Sequence, residues 1–377
     1  MMNKPLGLYI HLPFCLKKCG YCDFCSFPAV SEAQMARYTE ALCAELAHNA
    51  PKAEGRAVDT VFFGGGTPTL LPLPLFEKLI STLYRLYPVT ADAEITVEAN
   101  PASADKGKLQ RLRELGVNRL SIGVQSFSAE ELSLLGRVPT AEEAKAFYAD
   151  AVAAGFSNIN LDLMYAIPSQ TVESFAKTLD TALALSPSHL SVYSLILEEG
   201  TPFYQNKESL PLPDEDEEEG MRQLLLQKMA AAGYGRYEIS NFAKEGYACR
   251  HNLHYWRNEE YLGFGVAAHS YFGGERFGNS RDLSAFLRGE DIVSERTPIS
   301  PAERDREFLM LRLRLTQGLS LFEFAERFGK PLQQVYPSLV DLIRAGYMRE
   351  QNGYLSFTPA GFFVSNAILA QLLSAVE

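Results

Sequence analysis

Six cysteines among 377 residues are too few for a disulfide framework, and four of them crowd into the single run HLPFCLKKCGYCDFC. A reducing cytoplasm is therefore the expected compartment. An excess of cationic charge is missing too: the net charge is −11, and nonspecific binding to nucleic acid or to an anionic membrane would need the opposite sign. No run is long and apolar enough to cross a bilayer, so an integral membrane protein is not expected. The opening MMNKPLGLYIHLPF leads straight into an apolar segment, without the small-residue cleavage site of a secretory signal.

What the sequence does contain is a strong alternation. The hydrophobic fraction of 47% allows one large core and a smaller appended domain. Short β-branched runs, LGLYIHL, TVFFGGG, EITVEAN, RLSIGVQ, NINLDLMYAI and HLSVYSLIL, are separated by helical stretches such as PLFEKLISTLYRLY and VESFAKTLDTALAL. Strand then helix, six times over, predicts an α/β fold with parallel strands, an open partial (β/α)6 barrel. After Leu210 the run PLPDEDEEEG places six acidic residues before a helical segment, where they complement a helix N-terminus. The alternation stops after Gly235. Residues 1–240 are thus read as the core domain and 241–377 as a smaller α+β domain. Two helical segments and a hairpin turning at Asn352 and Gly353 give that domain a winged-helix-like end. From Ser320 onward it carries four basic and five acidic residues, a poor surface for phosphates.

Cys15, Cys19 and Cys22 have three and then two residues between them. Three thiolates so spaced can hold three irons of a cubane cluster and leave the fourth open to a small molecule. With Cys25 the run supplies four sulfurs, which could instead close a tetrahedral zinc site; structural zinc sites, however, usually staple two separated pairs. Cys43 reads as a small apolar residue on a helix. Polar residues recur at strand ends, where barrel folds place their chemistry: Gly65, Gly66 and Thr67 after TVFF, Glu98 in ITVEANP, Gln125 in SIGVQSF, Arg137 in LLGRV and Asp162 in NINLDLMY.

At these residues the chain resembles the radical S-adenosylmethionine (SAM) superfamily. Over nearly its whole length it is similar to the coproporphyrinogen oxidase-like branch, through FGGGTPTLL, VEANP, RLSIGVQSF, NLDLMYAIPSQT, YEISNFA and CRHNLHYW. The resemblance implies a 4Fe-4S cluster on Cys15, Cys19 and Cys22, and SAM near Tyr9, Gly65 and Glu98. It also matches Tyr21, Gly66, Thr67, Gln125, Arg137 and Asp162 to positions that contact a second SAM in the related dehydrogenase. The same resemblance gives the radical SAM form to the expected barrel and a HemN-type C-terminal domain.

Two departures separate the chain from the oxygen-independent coproporphyrinogen III dehydrogenases: only eight residues precede Tyr9, and Cys25 stands three after Cys22 rather than completing CxC. Both point towards the haem chaperones of the branch, although those usually carry Asn where Cys25 stands. CRHNLHYW resembles their HNxxYW motif, with His251 as the axial ligand and the aromatics offering flat faces to a porphyrin. His254 and Cys249 are alternative ligands. There is no CxxCH for covalent attachment.

The function the resemblance implies is a haem chaperone that holds cluster and SAM, carries haem as cargo and delivers it to acceptors such as membrane respiratory proteins. Cofactor occupancy would control transfer or homodimer formation, with no coproporphyrinogen oxidase activity. The alternative is oxidative decarboxylation of coproporphyrinogen III; a third reading is a radical SAM enzyme that opens or alkylates haem.

Overall fold

The computed structural model describes residues 4–101 and 103–374. They form two compact units. One gathers the chain up to Gly235 with Ser240–His251 and Glu260–Thr297; the other gathers Arg236–Ile239, Asn252–Glu259 and the segment from Pro298 onward.

One sheet organises the first unit. Its centre is six parallel strands in chain order: β1 (Leu6–Leu12), β2 (Val58–Gly65), β3 (Val89–Ala99), β4 (Arg119–Gln125), β5 (Asn158–Tyr165) and β6 (His189–Ser194). Helices follow them in turn: α1 (Glu32–Asn49), α2 (Leu73–Leu86), α3 (Lys106–Glu114), α4 (Ala141–Ala153), α5 (Val172–Leu185) and α6 (Glu215–Ala231). This is the open α/β arrangement that the alternation predicts, and among the described residues no pairing joins the two ends of the sheet. Residues past the point where the alternation stops return to it. Asn241–Ala243 (β7) pairs antiparallel with β6, while Tyr261–Phe264 (β8) pairs parallel with the other side of β1 and leads into antiparallel His269–Phe272 (β9) and Glu275–Asn279 (β10).

Helix starts are fixed locally. The side chains of Ser31, Thr140, Thr171 and Asp214 each accept from the backbone N–H three residues on, and the backbone N–H of each donates in return to that residue's side chain. The acidic run is therefore a helix N-terminus, with Asp214 as cap and Glu215–Glu218 in the first turn of α6. One face of the strands, including Leu8, Ile10, Val61, Phe63, Val97, Leu120 and Leu161, is fully removed from solvent within the hydrophobic core. Each such side chain contributes about 1.5–3 kcal/mol. None of the described helices is long and apolar enough to cross a membrane.

The second unit has its own core, which includes Phe308, Leu313, Phe324, Leu339, Leu355 and Phe357. Helices Leu321–Phe328 and Leu339–Arg344 precede a hairpin of Met348–Gln351 and Tyr354–Phe357, and Leu319–Ser320 adds a third antiparallel strand. Asn352 and Gly353 turn the hairpin with φ of 54° and 77°, the left-handed pair that matches strand twist.

Tyr38 of α1 locks the end of β1 to the segments that carry Phe14, Val266 and Phe286. Its hydroxyl donates to the His11 carbonyl (2.9 Å) and accepts from Val266 N–H (3.2 Å), and its ring packs on Phe14 and Phe286 at 5.2 and 4.8 Å. Replacing Tyr38 by Phe strands both buried backbone groups. Urea unfolding should then show a loss of about 1–3 kcal/mol; an unchanged midpoint would mean that water reaches them.

Candidate cluster and cofactor site

Strand alternation sends every second side chain into the barrel. Opposite the apolar face, the strands present Tyr9 and His11, Thr60 and Phe62, Glu94, Thr96 and Glu98, Arg119 and Ser121, Asn160 and Asp162, then His189 and Ser191. Register makes neighbours of Tyr9 and Phe62, Glu98 and Ser121, Gly123 and Asp162, Asn160 and His189. These polar groups satisfy one another. The Asn160 amide donates to Ser121 Oγ (2.7 Å) and Asp162 Oδ1 (2.8 Å), while its carbonyl accepts from Ser191 Oγ (3.1 Å) and His189 Nδ1 (2.6 Å). Ser121 also donates to Asp162 Oδ2 at 3.2 Å. Burial holds His189 neutral and the nearby Arg119 adds to the effect.

The cysteine loop rises from the end of β1. Phe14–Cys15 pairs with Phe27–Pro28, closing the loop at its base. It is fastened across the strand ends by Gly20 N–H to Leu135 O (3.4 Å), Phe203 N–H to Gly20 O (3.0 Å) and Thr67 N–H to Phe14 O (2.7 Å). Cys15, Cys19 and Cys22 are free thiols and partly exposed; Cys25 is buried and packs into the core. Burial raises the thiol pKa of Cys15 and Cys22, and each also feels Cys19. Two side chains stand close to sulfur, Thr67 Oγ1 at 3.9 Å from Cys15 Sγ and Arg137 Nη1 at 3.9 Å from Cys19 Sγ, and the Phe24 backbone bonds Cys22. The Tyr21 hydroxyl is also bonded to Cys19, and its ring meets Phe203 edge-on at 6.3 Å. Among the described residues no three His, Cys, Asp or Glu side chains close on one metal ion. A cubane takes its thiolates at three separate irons, and a loop of free thiols with N–H and O–H donors aimed at sulfur suits that group.

The glycine turn lies beside this loop. Gly65 has φ of +111°, and a Cβ there would stand 2.4 Å from the His11 ring; a Cβ on Gly66 would strike the Phe14 backbone at 2.6 Å. Close packing against β1 and the cysteine loop therefore demands glycine before any ligand is considered. The Gly65 N–H donates to Glu98 Oε2 at 3.0 Å. Glu98 keeps partial exposure, yet its carboxyl is desolvated: burial first, then the charge of Asp162, pushes its pKa up to about 8 against the pull of the Gly65 N–H. Burial likewise raises Asp162. Gln125 takes φ of +71° at a bulge in the β4–β5 ladder, a re-aiming of strand-end groups common beside active sites.

His251 lies elsewhere. It sits on the helix Arg250–Trp256, is 1% exposed, and faces the early part of the strands rather than their carboxyl ends. Its Nδ1 is 2.9 Å from Thr60 Oγ1, its N–H donates to Glu94 Oε1 at 3.1 Å, and Cys249 Sγ donates to the same oxygen at 3.4 Å. The ring stacks on Phe62 with centroids 5.3 Å apart, and Phe62 in turn stacks on Tyr9 at 6.1 Å.

Residues 9–182 match the radical SAM superfamily and residues 299–364 the HemN C-terminal domain. The chain is 38% identical to heme chaperone HemW of Bacillus subtilis over 376 residues, covering 97% of this chain and 98% of the relative. It is also 38% identical to heme chaperone HemW of Escherichia coli over 375 residues, 98% of each chain. This chain belongs to the HemW family. Among solved structures, the radical SAM enzyme coproporphyrinogen III oxidase (HemN) from Escherichia coli superposes with a TM-score of 0.86 at 25% identity, covering 98% of this chain and 90% of that one.

In this HemW-family chain the strand ends bring the three cysteines, Tyr9, Tyr21, Gly65, Gly66, Thr67, Glu98, Gln125, Arg137 and Asp162 to the same end of the sheet, and leave His251 towards the other. Two residues there escaped the sequence reading. His11 accepts from the Tyr9 hydroxyl at Nδ1 (3.0 Å) and donates from Nε2 to the Cys25 carbonyl (2.8 Å); burial lowers its pKa to about 4, so the ring is a neutral strut. Its signal was strand periodicity, two residues from Tyr9. Asn100 bonds both Thr67 and Arg137, and its signal was its place two residues after Glu98, just past the strand.

The raised Glu98 pKa has a measurable sign. An unfolded glutamate ionises near 4.5 and the folded one near 8, so between these values the folded chain holds a proton that the unfolded chain has released. Stability should therefore fall as pH rises through that window, by at most about 1.4 kcal/mol per unit for one proton. Glu98→Gln should flatten the slope in chemical denaturation; a wild-type slope in the variant would locate the proton elsewhere.

Proposed function

We propose that this chain is a haem chaperone that holds a 4Fe-4S cluster on Cys15, Cys19 and Cys22, binds SAM beside it, carries haem, and delivers it to haemoproteins such as membrane respiratory enzymes. The observation that carries the reading is the end-to-end relationship at 38% identity to proteins named heme chaperone HemW. Cluster and SAM together supply a low-potential electron and a binding group at the open iron. The chain's own residues do the rest. Glu98 and the Gly65 backbone would line the place of SAM's polar groups, Tyr9 would present a ring there, and Arg137, Gln125 and Asp162 would offer a cation, an amide and a carboxyl at the same end of the sheet. Cys25 would stay outside the ligand set; it is buried and packs into the core, whereas Cys15, Cys19 and Cys22 are partly exposed. In this reading cofactor occupancy governs transfer or dimerisation.

Haem would be taken by CRHNLHYW, with His251 as axial ligand. Because that ring is enclosed by Thr60 and Phe62, ligation requires the helix Arg250–Trp256 to move, exchanging a hydrogen bond and a ring contact for an iron–nitrogen bond. The second reading, oxidative decarboxylation of coproporphyrinogen III, is favoured by the likeness to HemN. It differs in outcome: the tetrapyrrole is consumed.

Anaerobic reconstitution should give about four irons per chain. Cys25→Ala should retain them, whereas alanine at Cys15, Cys19 or Cys22 should lose the cluster absorbance; full retention in any of these three would remove the basis of the assignment. For the cargo, His251→Ala should change the axial-ligand absorption of bound haem, while the same change at exposed His48 should not. Coincident spectra, together with SAM cleaved in proportion to coproporphyrinogen III consumed, would replace the chaperone by the dehydrogenase.

A further inference from the structure

Thr67 and Arg137, the side chains that stand 3.9 Å from the Cys15 and Cys19 sulfurs, trace back to one side chain. Asn100 stands just past β3. Its Nδ2 donates to Thr67 Oγ1 at 2.9 Å, and its Oδ1 accepts from Arg137, which also donates to the Gly123 carbonyl. Thr67 in turn is 3.9 Å from Cys15 Sγ, and Arg137 is 3.9 Å from Cys19 Sγ. The orientation of the amide is forced. A guanidinium can only donate, so the Asn100 oxygen must face Arg137 and its NH2 must face Thr67. Thr67 Oγ1 accepts that bond, which leaves its own proton for the Cys15 sulfur. The backbone of Asn100 is pinned as well: its N–H donates to Ser103 Oγ (3.2 Å) and its carbonyl accepts from Ser103 N–H (3.0 Å).

We propose that Asn100 is a positioning residue for the cluster: it fixes the hydrogen bonds given to the Cys15 and Cys19 sulfurs and so sets the cluster's reduction potential. The inference rests on the proposed ligation by Cys15, Cys19 and Cys22. Hydrogen bonds to thiolate sulfur withdraw charge and stabilise the reduced cluster, so they raise its potential. Asparagine is required by the two-sided demand. Alanine serves neither partner. Aspartate still accepts from Arg137, but it would turn the Thr67 proton away from Cys15 and towards itself.

The test is an EPR-monitored redox titration of the reconstituted full-length protein without SAM, with iron content and thermal unfolding measured alongside. Asn100→Ala should keep the fold and shift the midpoint potential to more negative values. Thr67→Val should produce part of the same shift, and adding it to Asn100→Ala should change little further, because the two substitutions break one path. Iron lost from a folded Asn100→Ala chain supports the same role. Should alanine prevent folding, Asn100→Ser, too short to reach both partners, carries the titration. A lower melting temperature with unchanged potential and iron would reduce Asn100 to a structural residue and overturn the inference. Wild-type protein that assembles no cluster would instead sink the ligand assignment itself.

Discussion

The constraint on which the rest depends is that one face of a parallel sheet is polar and largely withdrawn from water. A parallel sheet is usually apolar on both sides. Here one face carries leucine, isoleucine and valine, while the other carries carboxyls, an arginine, histidines and amides. Unpaired, each of these would cost several kcal/mol to desolvate. The strand register pairs them: Asn160 alone joins Ser121, Asp162, His189 and Ser191. Such a network holds positions tightly, because a one-residue slip would turn every polar group into the apolar layer.

That fixed interior gives the carboxyl ends of the strands a rigid rim. The cysteine loop has little regular structure of its own and borrows order from the rim through Thr67, Leu135 and Phe203. His11 and Asn100 play similar parts on two sides of it. One braces the Cys25 carbonyl from β1; the other ties the segments after β2 and β4 to β3. The glycine turn belongs to the same packing, since Gly65 leaves room for the His11 ring and Gly66 for the Phe14 backbone. Ligand binding and loop packing therefore ask for the same residue type at the same place.

The histidine of CRHNLHYW meets the barrel from its other end. The rings of Tyr9, Phe62 and His251 lie in sequence, from the proposed SAM site to the proposed haem ligand. On its helix His251 is buried, hydrogen-bonded to Thr60 and stacked on Phe62. In the chaperone reading, releasing that histidine is a step with an energetic cost, which suits a protein that must hold its cargo and also give it up.

Much of this was legible without coordinates. Hydrophobic alternation and helix caps are local properties, so six strand–helix units, the acidic helix start and the Asn352–Gly353 hairpin could be read directly. The cysteine spacing and the polar residues at strand ends are equally local, because a strand end is where a period of two stops. Other features depended on contacts between distant residues. No local pattern announces that the chain after Ser240 returns to both sides of the sheet, since pairing of β8 with β1 joins segments some two hundred and fifty residues apart. Nor does sequence say that Asn100 faces Thr67 and Arg137, that Cys25 turns into the core while Cys15, Cys19 and Cys22 stay partly exposed, or that His251 packs on Phe62. Residue types and spacing determined which chemistry the chain can support; strand register and close packing decided which of those residues meet.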